Sequence, residues 1–100
     1  MLGRRRRYRV TNESMLPLLK PGQEVLATPG LAPEPGEVWV LKHPERQELK
    51  IVKEVTQRHP DGRFEVRGVN SARSEDSRQF GPASAELFLG RVESLFWNPK

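Results

Sequence analysis

The sequence contains no cysteine, so a thiol nucleophile is excluded and a serine or threonine hydroxyl is the one to consider. The same absence removes a disulfide framework and a zinc–thiolate site. A serine or threonine hydroxyl needs a base to take its proton before it attacks. His43 and His59 each stand beside a proline in segments that read as turns, and both are expected to be exposed there without a catalytic partner. The base left is lysine, which serves only where an apolar setting disfavours its ammonium form.

Lys50 is the candidate. The run Leu49-Lys50-Ile51-Val52-Lys53-Glu54-Val55 alternates, so Leu49, Ile51 and Val55 share one strand face while Lys50 and Val52 share the other. Taken alone, the strand also fits a half-buried element with Lys50 facing water. Ser14 changes that reading. It lies in Glu13-Ser14-Met15-Leu16-Pro17, followed by Leu18-Leu19-Lys20-Pro21-Gly22. Ser-Met-x-Pro with an apolar pair and Pro-Gly resembles the nucleophile box of type I signal peptidases and the related self-cleaving SOS repressors. Leu49-Lys50-Ile51-Val52 resembles their lysine box, and Gly68-Val69-Asn70 with Ser74-Glu75-Asp76-Ser77-Arg78 resembles their third box. Within that group, the small size and the ending Phe80-Gly81-Pro82 through Leu89-Gly90-Arg91-Val92 resemble nickel-type superoxide dismutase maturation proteases.

The resemblance implies a Ser/Lys-dyad endopeptidase that removes an N-terminal propeptide from a precursor, with nickel-type superoxide dismutase as the implied substrate. The lack of a spanning stretch and of cysteine makes a soluble, cytoplasmic protein the expectation, a departure from the membrane-anchored signal peptidases. The resemblance casts Ser14 as nucleophile and Lys50 as general base. Ser74 would orient the lysine amine, with Ser77 as the competing residue, and Asp76 and Arg78 would form a structural ion pair. The Ser14 backbone N–H and the Asn12 side chain would donate to the oxyanion; Asn12 reads equally well as a turn-capping amide. The relatives' Lys-Arg and Gly-Asp-Asn stand here as Lys50-Ile51 and Gly68-Val69-Asn70. Loss of both charges together is compensated if Ile51 and Val69 touch. No cofactor or metal is expected.

These residues need a scaffold, and proline and glycine punctuation supplies one made of strands. Strands are expected at residues 8–12, 23–28, 37–42, 48–58, 63–68 and 87–95, with turns at Pro21-Gly22, 43–48 and Pro60-Asp61-Gly62. No segment sustains a helical apolar repeat. The fold class is therefore all-β, a small curled antiparallel sheet or barrel, of the type the resemblance implies for signal peptidases and SOS-repressor catalytic domains. One hundred residues make a single domain, divided into a basic N-terminal arm at 1–9 and a peptidase domain at 10–100.

The net charge of +4 gathers at the front, where Arg4, Arg5, Arg6, Arg7 and Arg9 read as a solvated terminus able to make weak contact with an anionic membrane. No nucleic-acid partner is expected on the favoured reading. The alternative is a non-catalytic β domain whose basic arm binds nucleic acid or protein. No apolar stretch approaches the roughly 18 residues of a spanning helix.

Overall fold

The computed structural model describes residues 5–10, 22–30, 32–68 and 77–94. Six strands form one antiparallel sheet: β1 (Arg6–Arg9), β2 (Glu24–Thr28), β3 (Val38–His43), β4 (Arg46–Arg58), β5 (Phe64–Arg67) and β6 (Phe88–Ser94), in the spatial order β1-β2-β6-β3-β4-β5. A single helical turn, α1 (Ser77–Phe80), and a 3-10 turn at Ala85–Leu87 connect β5 to β6. The expected all-β class and nearly all of the expected strands are present.

The sheet is not closed into a barrel. Its edges are β1 and β5, and the outer side of β5 is already occupied. Phe64 exchanges two backbone hydrogen bonds with Ala83, at 2.9 and 2.7 Å, and the Ser77 hydroxyl binds both backbone groups of Val66.

Alternation along the strands builds two apolar faces. Trp39, Leu41, Ile51, Val55, Phe64, Val66, Ala83 and Leu87 make the larger cluster, with Phe80 and Phe88 packed against it. Phe88 meets Trp39 and Phe64 edge-on, at ring separations of 5.7 and 5.3 Å. On the other face, Val10, Val25, Ala27 and Val40 form a smaller cluster with Tyr8, Val52 and Leu89 beside it. β6 comes close to β2 because Gly90 has no side chain: a Cβ there would lie 2.9 Å from that of Ala27. At the Pro60-Asp61-Gly62 turn the Gly62 φ of 90° lets its N–H reach the His59 carbonyl at 3.0 Å.

Two expectations change. The first strand, β1, begins at Arg6 and not at Tyr8, so it includes part of the basic segment, and Tyr8 packs on the smaller cluster. Arg7 and Arg9 also share the Glu24 carboxylate across the ladder, at 3.6 and 3.5 Å. His43 is buried, only 2% exposed, instead of lying in a turn. The turn is shorter than the sequence suggested, just Pro44 and Glu45. β3 therefore continues through His43 and turns its ring onto the Trp39–Leu41 face.

Candidate active site

The β3–β4 ladder decides which lysine has an apolar setting. In its register Lys42 opposes Lys50, Leu41 opposes Ile51, Val40 opposes Val52 and Trp39 opposes Lys53. Directly opposed residues share a face, and residues an odd number apart on one strand do not. Lys50 and Lys53, three apart, therefore point to opposite sides of the sheet.

Lys50 is exposed. Its face carries Lys42 opposite and an open groove beside it. The requirement that singled out Lys50, a lysine withdrawn from water, is not met there. Lys53 meets it. It is 2% exposed and lies between Ile51 and Val55 on the face of the larger cluster, directly across from the Trp39 ring. A second hydrogen-bonded residue steadies that ring, since the Trp39 indole N–H donates to Glu37 Oε1 at 2.9 Å. Arg91 in turn reaches Glu37 Oε2 at 3.4 Å.

The signal for Lys53 was present in the alternation itself, which puts position 53 with Ile51 and Val55. Ile51 is a core residue in its own right, so it needs no lost ion pair to explain it; Val69 lies outside the described residues.

Among the described residues, His43 is the other buried polar side chain. It shares the Trp39–Leu41 face of β3. Its Nδ1 accepts the Glu45 backbone N–H at 3.0 Å, and its ring packs edge-on against Phe80 at 4.9 Å. His59 sits half-buried, its Nε2 2.9 Å from Glu65 Oε2.

Ser14, Asn12, Ser74 and Asp76 lie outside the described residues, but the ends of both segments that carry them are fixed. Residues 11–21 are closed at their base, where the Val10 N–H donates to the Gln23 carbonyl at 2.8 Å and the Gly22 N–H to the Val10 carbonyl at 2.7 Å. Residues 69–76 leave just after β5 and return at Ser77. The Ser77 hydroxyl donates to the Val66 carbonyl at 2.9 Å and accepts the Val66 N–H at 3.0 Å. Ser77, the competing lysine-orienting residue, is thus engaged as a latch on the sheet edge. Arg78, exposed on α1, follows it. Val66 opposes Val55, two residues from Lys53 on the same face. Both ends of the Ser74 segment are therefore anchored beside the strand that buries Lys53.

Among the described residues no three His, Asp or Glu side chains gather in a metal-binding arrangement, and no helix is long and apolar enough to cross a membrane. No protein-family model matches the chain, and no curated protein sequence matches it.

Proposed function

We propose that the chain is a cytoplasmic serine endopeptidase whose base is Lys53, with Ser14 as nucleophile, and that it trims a propeptide from a precursor such as nickel-type superoxide dismutase. The observation that carries this reading is the burial of Lys53 against Trp39 on an apolar sheet face. Taking an ammonium out of water costs several kcal/mol, and each pKa unit corresponds to about 1.4 kcal/mol. Such a setting favours the neutral amine that a serine nucleophile requires.

In the reaction, the Ser14 Oγ attacks the scissile carbonyl while its proton passes to the Lys53 Nζ. The Ser14 backbone N–H and the Asn12 amide stabilise the oxyanion. The proton then moves from Nζ to the leaving amine, and water, deprotonated by the same amine, hydrolyses the acyl-serine ester. Ser74 orients Nζ. Its segment is anchored at Val66 and Ser77, and Ser74 is three residues from Ser77, a span of at most about 10 Å. Asp76 and Arg78 stiffen that segment.

Incubation with a β-lactam-type serine inactivator, read by intact mass, tests the reading. One covalent adduct is expected on the wild-type chain and none on Ser14→Ala. Labelling at another residue, or none in an otherwise folded protein, removes Ser14 from the role.

A further inference from the structure

We infer that the groove on the sheet face opposite Lys53 binds an extended, acidic peptide segment bearing aliphatic side chains. The groove has a volume of about 450 Å3 and runs between β1 and the first half of β4. Arg7, Arg9 and Lys50 line it, beside the apolar surface of Tyr8, Leu49 and Val52. It does not depend on the catalytic reading, because it lies on the sheet face opposite Lys53.

Charge carries the inference first. Lys42 stands directly across from Lys50 on this face, and opposed like charges in a ladder are unfavourable. Arg7 and Arg9 both reach the Glu24 carboxylate. Among the described lining residues there are three cations, Arg7, Arg9 and Lys50, and one carboxylate, Glu48, and an incoming carboxylate relieves the Lys42–Lys50 repulsion.

The apolar surface then selects the kind of polyanion. Leu49 and Val52 offer aliphatic contact, and Tyr8 is the aromatic ring among the described lining residues. Single-stranded nucleic acid binds on successive aromatic platforms, and the described lining offers one ring. A strand alternating acidic and aliphatic side chains satisfies both the cations and the apolar surface. In an endopeptidase, such a site would hold a part of the precursor remote from the cleaved bond.

The test is fluorescence anisotropy on the full chain with two labelled hexapeptides, Glu-Val-Glu-Val-Glu-Val and Gln-Val-Gln-Val-Gln-Val, and a labelled thymidine hexanucleotide. Exposed ion pairs are each worth up to about 1 kcal/mol, so the acidic peptide should bind about tenfold more tightly than the neutral one. Lys50→Glu, at an exposed position that does not threaten folding, should weaken acidic-peptide binding about fivefold or more. Arg58→Glu makes the same change in net charge on an exposed residue outside the groove, and should leave that binding nearly unaltered. Equal binding of the two peptides overturns the proposal, as does equal damage from Lys50→Glu and Arg58→Glu. Tighter binding of the oligonucleotide than of the acidic peptide also overturns it, in favour of a nucleic-acid groove.

Discussion

Lys53 stands directly opposite Trp39 in the β3–β4 ladder, its side chain 2% exposed on the face that carries the larger apolar cluster. A thioether of similar length keeps the apolar stem and removes only the amine. Lys53→Met should therefore fold while losing all cleavage. A variant that fails to fold would show that the amine is a structural hub, since removing one member of a buried polar network commonly costs about 3–5 kcal/mol.

The Ser77 hydroxyl is the described anchor of the segment carrying Ser74. It makes two hydrogen bonds to one residue, Val66, at 2.9 and 3.0 Å. Ser77→Ala should cost about 1–3 kcal/mol, because it strips partners from two backbone groups of β5. Hydrogen exchange at Val66 should accelerate. If Ser74 orients the lysine, kcat should fall more than KM rises. Unaltered exchange at Val66 would mean that the latch does not hold in solution.

Cleavage should depend on pH through the lysine base. Only the neutral amine accepts the serine proton, so kcat/KM should climb from neutral into mildly alkaline pH and then level off. The profile is measured on a precursor peptide. A maximum in the acid range would point to a carboxylate mechanism instead.

A second pH effect belongs to the fold. The side-chain hydrogen bond from Arg63, at 2.8 Å, and then the Arg63 backbone N–H, at 3.0 Å, hold the Asp61 carboxyl below its ordinary 3.8. A folded value beneath the unfolded one gives stability that is in place above the ordinary carboxylate range and is lost as pH falls through the folded value. Asp61→Asn should thus be less stable than wild type at neutral pH, by a small amount because the pair is exposed, and equal to it in strong acid. An Asp61 carbon-13 titration midpoint above 3.8 would contradict the assignment.

Strand positions were legible because proline, glycine and β-branched runs act locally: β4 was expected at 48–58 and spans Arg46–Arg58. β1 was expected to begin at Tyr8, and its true start at Arg6 was obscured because its residues are mostly arginine. Their strand state comes from pairing with β2 and from Tyr8 packing on Val25, a contact made across sequence. His43 was obscured by Pro44, which marks a turn without saying where the preceding strand ends. The burial of Lys53 was readable in principle, since alternation places it with Ile51 and Val55. Alternation does not say what packs around Lys53 on that face, however. That is set by Phe64, Val66, Phe80 and Leu87, which join Trp39 and Leu41 in the larger cluster through contacts distant in sequence.

The most direct test compares Lys50→Arg with Lys53→Arg in cleavage of a short uncharged precursor peptide. Arginine preserves positive charge at both sites but does not give up its proton near neutral pH. Lys50→Arg should cleave at the wild-type rate, because an exposed lysine on the opposite face takes no part in the proton transfer. Lys53→Arg should be inactive. Retained activity in Lys53→Arg together with its loss in Lys50→Arg would contradict the assignment and return the base to Lys50.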